Sequence, residues 1–483
     1  MTRRSITLVA VLALIASNHA LAIDKMAELS PSDGPGNVFG WSVAIDGDYI
    51  VVGAPEDSEA DTRAGAAYVF KREGGDWVEQ QKLIASDAGW YQKAGWAVAV
   101  SGDLVAVGAP HIDLDFPGPG KAYVFRREGD SWVEEVLSAD SSLDYGFGIS
   151  ISMQGDRIVV GSPYAGLTGA AYVYRRYDST YPCGGPPDCN VVGLTTCTAD
   201  VCEGIAWVQE AELIPASAPA YGQVGGAVGM DGGRIILGAA EDDTGGNAAG
   251  AAYVFAYDGA AWVEEDKLVA GDPDARDYFG WSVAIHGDAA LVGALGDDDA
   301  GNSAGAAYVF ERVNGQWVET SKLRASDTDT NDGFGFPVAI NASLMLVGGS
   351  KYPDPSSMYV FRRAGMVWLE VTKIPPSEAE TFISIAAGIS SPHLVVSGFE
   401  SGVPIYSFAD DCNGNGVPDW NEPLGDLDTD GDVDLSNFEQ FQACMAGPDG
   451  ASLNTNCCFF DVEQDGDVDL KDYRALELAF SVR

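Results

Sequence analysis

Short apolar segments recur along the chain in a fixed order, separated by small and polar residues. The stretch "FGWSVAIDGDYIVVGAP" (39–55) returns as "FGWSVAIHGDAALVGAL" (279–295). In the first unit, "FGWSVAI" leads through a "DG" turn into "DYIVVGAP", and then "AAYVFKR" and "WVEQQKLIAS" follow. These segments are rich in Val, Ile, Tyr and Trp and are bounded by Gly, Asp and Pro, which is typical of β-strands. The pattern therefore predicts units of four antiparallel strands, which we call A to D.

The spacing of the units predicts a circular array. The glycines that open strand A are Gly40, Gly95, Gly148, Gly225, Gly280 and Gly335, in steps of 55, 53, 77, 55 and 55 residues. The long step contains a cysteine-rich insertion, and a less regular seventh copy follows in "TFISIAAGISSPHLVVSGFE" (381–400). Because one small sheet cannot bury both of its faces, a period of about 50 residues predicts a β-propeller.

The last unit lacks its own strand D and ends at "VPIYSF" (403–408). The segment "IDKMAELSPSD" (23–33) resembles the strand D segments "EDKLVAGD" and "TSKLRASD". We therefore expect it to complete the last sheet and to close a seven-bladed propeller over residues 23–409. Strand D carries one tryptophan per unit, which favours packing between blades over a ligand-stacking platform. These residues are Trp77, Trp132, Trp207, Trp262, Trp317 and Trp368.

The repeat "FGWSVAIDGDYIVVGAP…GAAYVF" resembles the FG-GAP repeats of integrin α-subunit propellers and of their bacterial relatives. The resemblance implies a seven-bladed β-propeller used for extracellular recognition. Some A–B loops of integrin-type repeats carry an Asp-rich calcium site. The A–B loops here are short turns such as Asp46-Gly47 and Ser101-Gly102, which suit two-residue hairpins. We therefore expect no calcium in the A–B loops.

The amino-terminal segment indicates an exported protein, and the net charge narrows its possible partners. The formal net charge of −45 at pH 7 disfavours nucleic acid and anionic membranes as partners. Residues 1–22 combine Arg3 and Arg4, the apolar run "ITLVAVLALIA" and the end "ALA", as in a signal peptide. No other stretch is long and apolar enough to cross a membrane. We expect a protein that is secreted, at the cell surface or in the periplasm.

Eight cysteines in an exported chain predict disulfides, whose pairing within each group the sequence leaves open. The two groups are Cys183, Cys189, Cys197 and Cys202, and Cys412, Cys444, Cys457 and Cys458.

Strand direction predicts two unlike faces. The B–C and D–A loops share one face and are acidic, as in "PEDSEAD", "AEDDTGG" and "LGDDDAG". The A–B and C–D loops share the other face, where the ends of strand C are basic, as in Lys71-Arg72 and Arg126-Arg127. The acidic loops either bind a basic or cation-bearing partner or keep the protein soluble, and the sequence does not decide between them.

The composition changes at residue 410, where three candidate calcium loops begin. Calcium prefers six to eight oxygen ligands on a tightly turned loop, and alternate acidic residues with glycine at the sixth position supply that geometry. The first loop offers Asp426, Asp428, Asp430, Asp432, Asp434 and Asn437, and the second offers Asp461, Glu463, Asp465, Asp467, Asp469 and Asp472. A weaker candidate in 410–425 offers Asp411, Asn413, Asn415, Asp419 and Glu422.

An apolar stripe follows each of the first two loops and predicts a helix. This duplicated loop-helix pattern, 426–483, resembles a type I dockerin, an EF-hand-like module that binds two Ca²⁺ ions and docks onto a cohesin. The match is good at the loops but departs at Asn437 and Glu463, and at the positions that set cohesin specificity. Segment 410–425 resembles the calcium repeats of thrombospondin type 3. The expected fold is thus mainly β, a propeller followed by a small helical module.

Catalytic signals are few. After residue 22 the only histidines are His111, His286 and His393, and no H-E-x-x-H, G-x-S-x-G or P-loop pattern occurs. We expect a non-catalytic recognition or adhesion protein that binds an extracellular protein or glycan and attaches through a calcium-dependent tail, with a cohesin-like or cell-surface partner. The alternatives are a polysaccharide-binding or -degrading propeller held in a larger assembly, and a structural surface-layer component.

Overall fold

The computed structural model describes residues 23–34, 36–112, 118, 120–137, 146–177, 196–198, 201–203, 206–349, 357–364, 367–375, 386–397 and 402–408. These residues form seven antiparallel sheets of four strands each and one two-stranded hairpin. The sheets are the blades of a β-propeller, numbered here from the first sheet completed along the chain. The predicted seven-bladed propeller is confirmed.

The strands follow each other in a regular order. The chain begins with β1 (Ile23–Leu29). Blade 1 contains β2 (Val43–Asp46), β3 (Tyr49–Ala54), β4 (Ala66–Glu73) and β5 (Asp76–Leu83). Blade 2 contains β6 (Ala97–Ser101), β7 (Leu104–Ala109), β8 (Lys121–Glu128) and β9 (Ser131–Leu137). Blade 3 contains β10 (Ser150–Gln154), β11 (Arg157–Ser162), β12 (Ala170–Tyr177) and, after the hairpin β13 (Thr196–Thr198) and β14 (Val201–Glu203), β15 (Ala206–Leu213).

The second half repeats this order. Blade 4 contains β16 (Val228–Asp231), β17 (Arg234–Ala239), β18 (Ala251–Tyr257) and β19 (Trp262–Leu268). Blade 5 contains β20 (Phe279–His286), β21 (Ala289–Ala294), β22 (Ala306–Val313) and β23 (Gln316–Leu323). Blade 6 contains β24 (Val338–Ile340), β25 (Leu344–Gly348), β26 (Met358–Ala364) and β27 (Val367–Ile374). Blade 7 contains β28 (Ala387–Ser390), β29 (His393–Val396) and β30 (Val403–Phe408).

The two ends of the propeller meet in blade 7. There β1 pairs antiparallel with β30, from Ile23 opposite Phe408 to Leu29 opposite Val403. The fourth strand of the last blade therefore comes from the beginning of the described chain, as the resemblance of 23–33 to the D strands suggests. Pairing the first and last strands in one sheet closes the ring.

Apolar side chains are buried between blades rather than in one central core. Seven clusters of buried residues occur in the described chain, one for each pair of neighbouring blades. The cluster between blades 4 and 5, for example, joins Ile236 and Val254 to Val292 and Tyr308. Each blade thus buries both faces by contacting two neighbours, which explains why the unit repeats.

The "FG" pair precedes strand A instead of opening it, which corrects the predicted start of the strand. Strand A begins at Val43 in blade 1 and Ala97 in blade 2, and only β20 starts at the aromatic residue, with a register shift behind it. The glycine has a left-handed φ of 85° to 109° in all six copies, which turns the chain before the ladder starts. The aromatic residue is buried, and Phe279 packs edge-on against Tyr308 and Phe310.

Strand B carries the glycine that brings neighbouring blades together. A Cβ on Gly238 would lie 2.0 Å from the carbonyl oxygen of Gly280 in the next blade, and Gly53 stands in the same relation to Gly95. Such distances allow no side chain, so the glycine of "VGA" is required by the "FG" glycine of the following unit. The expectation that small residues mark close approach between blades is confirmed.

The A–B turns are tight, although the loop lies one residue later than predicted. Asp46 pairs with Tyr49, so the two-residue loop is Gly47-Asp48 and Asp46 still belongs to the strand. Gly47 has a φ of 54°, and Gly102, Gly155, Gly232 and Gly287 are similar. Glycine suits this position because its left-handed φ carries no Cβ penalty there.

Candidate functional site

The D–A and B–C loops meet on one face of the ring, which we call the upper face. Between blades 1 and 2, 3 and 4, 4 and 5, and 5 and 6, backbone hydrogen bonds join the D–A loop to the B–C loop of the preceding blade, as from the N–H of Tyr278 to the carbonyl of Ala248 (3.1 Å). Isolated parallel bridges such as Gly250 to Phe279 belong to the same contact. These hydrogen-bonded loops form the described part of a collar around the axis.

Many of the acidic residues of the upper face are internal links. Asp33 in the loop after β1 accepts hydrogen bonds from Lys82 (2.6 Å) and from the Tyr68 hydroxyl (3.0 Å) of blade 1. Lys82 also bonds to the buried Asp57 (2.8 Å) and to Glu59 (2.7 Å). The groups of this kind that join a D–A loop to the next blade are Tyr68–Asp33–Lys82, Tyr123–Asp87–Lys121, Tyr308–Asp272–Lys322 and Tyr359–Asp327–Lys373.

These contacts hold the carboxyls in their charged form. Burial alone raises the pKa of Asp33, but the hydrogen bonds from Lys82 and Tyr68 outweigh it and leave that pKa below its usual value. The same balance lowers the pKa of Asp87, Asp272 and Asp327. Several carboxylates of these loops are thus engaged with lysines inside the fold and are not free to bind a partner, although Lys82 alone serves three of them.

The acidic B–C loop "LGDDDAG" of blade 5 shows the same internal pairing. Asp297 is buried, with 2% of its surface exposed, and bonds to Lys322 and to the Tyr308 hydroxyl. Asp299 bonds to Lys322 (2.8 Å) and Arg324 (2.9 Å). Within the described chain, changing these two residues would break an internal network rather than remove a free acidic patch.

The opposite, lower face also carries many ion pairs. The basic residues at the ends of strand C lie where the sequence predicts, and they pair with acidic residues of the same or the preceding blade. The pairs are Lys71–Glu73, Arg72–Asp48, Arg126–Glu135, Arg127–Asp103, Arg175–Asp156, Arg176–Glu135, Arg312–Glu265 and Arg363–Glu311.

The strand D tryptophans pack between blades, as predicted. Trp132, Trp317 and Trp368 are buried, and several indole N–H groups donate to a glutamate in strand D of the preceding blade. These pairs are Trp207–Glu135 (3.1 Å), Trp262–Glu210 (3.1 Å) and Trp317–Glu265 (3.2 Å). Burial opposes ionisation of Glu135, but Arg176, Arg126 and Trp207 lower its pKa. This series of aromatic residues is structural.

A second series of aromatic residues surrounds an axial cavity of about 570 Å³. These residues directly follow the "FG" glycine of each unit. The sequence analysis did not identify them as a site, although the tryptophan of "FGW" recurs in the repeat. In blades 1 to 6 these residues are Trp41, Trp96, Ile149, Gly226, Trp281 and Phe336, and all line the cavity. B–C loop residues Ile112, Pro163 and Tyr164 and the D–A loop residue Gln223 also line it, so the cavity opens on the upper face.

The aromatic rings of the cavity are close enough to act together. The ring centroids of Trp41 and Trp96 are 4.4 Å apart with planes inclined by 48°, and Trp281 lies 6.5 Å from Phe336 at 88°. The Lys93 ammonium lies 5.4 Å from the Trp96 ring. Trp281 is 42% exposed and Tyr164 is 49% exposed, so part of this aromatic surface faces solvent.

Strained backbone concentrates at the mouth of the cavity. The residue two places before the "FG" glycine is left-handed in every described copy, and in four copies it is not glycine. These residues are Val38, Lys93, Gln223 and Tyr278, with φ of 54° to 58°. A left-handed β-branched or bulky residue costs on the order of 1–3 kcal/mol, and such strain often accompanies binding sites. Of the four, Gln223 lines the cavity, and Lys93 and Tyr278 contact the lining rings of Trp96 and Trp281.

The histidines are placed apart from one another. His286 is exposed at the end of β20, 3.5 Å from Asp231. His393 is buried between blades 7 and 1, where its Nε2 lies 2.9 Å from an Arg72 nitrogen. Burial and the Arg72 charge lower the pKa of His393. Among the described residues, no group of three or more His, Cys, Asp or Glu side chains is arranged to hold a metal ion.

Several predictions concern residues outside the described ranges. These include the signal peptide 1–22, all three candidate calcium loops and six of the eight cysteines. Cys197 and Cys202 are opposite each other in the register of β13 and β14, and their disulfide bonding stays a prediction. The described part of the chain contains no helix long and apolar enough to span a membrane.

A comparison with known protein families identifies the same repeat. The profile described as FG-GAP repeat matches residues 23–70, 77–125, 132–174, 207–255, 262–310 and 317–361, more than half of the chain. The chain belongs to the FG-GAP repeat family. Each matched FG-GAP unit runs from strand D of one blade through strands A to C of the next, and the first unit starts with β1. The family repeat thus contains the contact between two blades.

Other comparisons add a structural likeness. The chain is similar to the computationally designed Ika8 protein, with 11% sequence identity over 79% of this chain and 99% of that chain, at a TM-score of 0.44. No protein of curated function matches the chain.

Proposed function

We propose that this FG-GAP repeat protein is an exported, non-catalytic recognition protein that binds its ligand at the mouth of the axial cavity. The observation that carries the proposal is the arc of four aromatic side chains that lines a cavity of about 570 Å³ opening on the upper face. Cavities of 300–1,000 Å³ lined by aromatic residues are typical ligand sites. The fold is compatible with this role, since a propeller presents loops from several blades around one axis.

Further features support the mouth over other surfaces. The strand D tryptophans are engaged between blades, and several acidic loop residues pair with lysines inside the fold. The mouth, in contrast, keeps solvent-facing aromatic rings at Tyr164 and Trp281. The collar holds Lys93, Gln223 and Tyr278 in left-handed conformations beside it, which limits the entropy lost on binding.

A comparison of two tryptophan variants tests the binding site. Full-length protein, Trp281→Ala and Trp90→Ala are applied in calcium-containing buffer to arrays of glycans and of extracellular proteins. Trp90 is the matched control because it is 43% exposed, close to the 42% of Trp281, but does not line the cavity. We expect Trp281→Ala to weaken binding at least about tenfold and Trp90→Ala to leave it unchanged.

The same samples test the alternatives. Equal effects of the two variants would contradict binding at the cavity, and release of reducing sugar from bound glycans would contradict a non-catalytic role. Self-association without array binding would favour a structural surface-layer component.

We also propose that residues 426–483 form the calcium-dependent attachment module. The support is the spacing of Asp426, Asp428 and Asp430 before Gly431, and of Asp461, Glu463 and Asp465 before Gly466. Calorimetric titration with CaCl₂ tests it on the full chain. We expect two sites, one lost in Asp430→Asn and the other in Asp465→Asn. Unchanged stoichiometry in both variants would rule out these loops.

A further inference from the structure

The axial cavity has two chemically different sides. On the arc of blades 5, 6, 1 and 2, the residue after the "FG" glycine is aromatic, namely Trp281, Phe336, Trp41 and Trp96. On the arc of blades 3 and 4 the same position is Ile149 and Gly226, so less side chain fills that side. Tyr164 and Gln223 stand there instead, one from a B–C loop and one from a D–A loop.

The described residues of the lining carry no charge and few free polar groups. None of the described residues that line the cavity is Asp, Glu, Lys, Arg or His. Its serine hydroxyls donate to the "FG" glycine carbonyls of the following blade, from Ser42 to Gly95 (2.8 Å) and from Ser150 to Gly225 (2.9 Å). Ser282 donates in the same way to Gly335. These hydroxyl protons are therefore committed to holding the blades together.

The polar groups left for a ligand are on the blade 3 and 4 side. Within the described residues, neither the Tyr164 hydroxyl nor the Gln223 side-chain amide has a hydrogen-bond partner. Tyr164 is held in place because its ring packs against the backbone of Gly146, where an added Cβ would lie 2.8 Å from it. The left-handed φ of 56° at Gln223 sets the direction in which its side chain leaves the backbone.

We propose that the cavity binds a neutral aromatic ring bearing one hydrogen-bonding substituent, with the ring among Trp41, Trp96, Trp281 and Phe336 and the substituent at Tyr164 and Gln223. This inference rests on the proposed function, because it names the chemical group recognised at the same site. A charged group has no counter-charge in the described lining, and burying it unpaired is costly. Aromatic rings attract cations, but the Lys93 ammonium already lies 5.4 Å from the Trp96 ring and would repel a second cation. A sugar ring would leave most of its hydroxyls without partners, since in the described lining only two free polar side chains face it.

Equilibrium dialysis of the full-length protein against small probes tests this assignment. The probes are 2-naphthol, naphthalene, methyl α-D-glucopyranoside and tetramethylammonium. We expect 2-naphthol to bind with a stoichiometry of one and naphthalene to bind about fivefold more weakly, because it lacks one hydrogen bond. The glucoside and tetramethylammonium should bind at least about tenfold more weakly than 2-naphthol.

Variants separate the two sides of the cavity. Combining Tyr164→Phe with Gln223→Ala should bring 2-naphthol to the affinity of naphthalene and leave naphthalene unchanged. Trp281→Ala should weaken both naphthalene compounds at least about tenfold, and the matched control Trp90→Ala should weaken neither. The proposal would be overturned if Trp281→Ala bound 2-naphthol as tightly as the wild type. It would also be overturned if tetramethylammonium or the glucoside bound more tightly than 2-naphthol.

A competition arm identifies the source of the ring. Displacement of 2-naphthol by N-acetyl-tyrosinamide supports the proposal with a side chain of a protein partner as the ligand, and lack of displacement supports it with a free small molecule. A failure of this inference can be distinguished from a failure of the proposed function. Array binding that depends on Trp281 without any 2-naphthol binding would overturn this inference and leave the recognition role in place.

Discussion

Single glycines decide how close two neighbouring blades approach. The glycine of "VGA" in one blade faces the carbonyl of the "FG" glycine in the next, and the ideal Cβ positions lie 1.8–2.1 Å from that oxygen in all five described pairs. The two glycines that define the repeat motif are thus the two sides of one contact. Position 41 and its equivalents, directly after this contact, then point a side chain at the axis.

Replacing one of these glycines should destabilise the ring. We expect Gly238→Ala to lower the free energy of unfolding by about 1–3 kcal/mol, because the added methyl group overlaps the Gly280 carbonyl. Gly226→Ala in the same blade is the control, since its nearest neighbour would lie at 3.4 Å and its φ is not left-handed. Urea unfolding of both variants checks this, and equal midpoints would contradict the close contact.

The buried carboxyl of Asp277 should make the stability of the protein depend on pH. In blade 1, Asn37 occupies the same loop position and donates from its amide to Asp57 (2.8 Å). Blade 5 places a carboxyl there, only 3% exposed and near the carboxylate of Asp297. Burial and the charges of Asp297, Asp274 and Asp298 raise the pKa of Asp277 to about 6.

The sign of the pH effect follows from this raised pKa. The contribution of Asp277 to stability is full below its unfolded pKa of about 3.9 and is lost as the pH rises through about 6. We expect Asp277→Asn to be more stable than the wild type by about 1–3 kcal/mol at pH 7.5, with the difference disappearing towards pH 4. Asp332→Asn, at the same position of the blade 6 loop, is the control. Urea unfolding across this pH range measures both, and a gain independent of pH would contradict the assignment.

At the scale of strands, the outer strand D carries the polar links between blades. It is bulged in most blades, and the extra residue is Glu210 in blade 3 and Glu265 in blade 4. Both glutamates accept the indole N–H of the next blade. In blade 5 the bulged residue is Thr320, and within the described chain the buried Nε1 of Trp368 in blade 6 has no hydrogen-bond partner.

This difference predicts a stabilising substitution. Thr320→Glu should supply the missing acceptor and raise the free energy of unfolding by about 1 kcal/mol, because satisfying a buried N–H contributes roughly that much. Thr320→Met is the control, since methionine occupies the corresponding bulge of β1 as Met26 and offers no comparable acceptor. Differential urea unfolding compares the two. A gain from Thr320→Met as large as that from Thr320→Glu would argue against a hydrogen bond to Trp368.

The sequence predicts strands better than it predicts their ends. The continuous apolar runs in "DYIVVGAP" and "AAYVFKR" locate strands B and C, because both strands are central, buried on both faces and paired along their length. The sequence pattern predicts too early a start for strand A. The "FG" pair has the composition of a strand, but the left-handed glycine turns the chain away from the ladder. That conformation depends on a contact with the neighbouring blade, which no local pattern reveals.

At the scale of the whole molecule, the period predicted the number of blades, and the likeness of 23–33 to the D strands indicated how the ring closes. The candidate site was only partly foreseen. The position of the upper-face loops follows from strand direction and their acid content from the sequence, but the sequence could not show that Lys82 and Lys322 pair with those loops from inside the fold. The axial cavity requires six residues about 50 positions apart to converge, and only the closed ring brings Trp41 and Trp281 to one axis.

Hydrogen–deuterium exchange of the full-length protein, with and without its best-binding array component, tests recognition at the axial mouth most directly. The account predicts slower exchange on binding in the collar segments 88–96, 221–227 and 274–282, with no change at the lower-face turns around Gly47 and Gly102. Protection confined to the lower face or to residues 426–483 would contradict it.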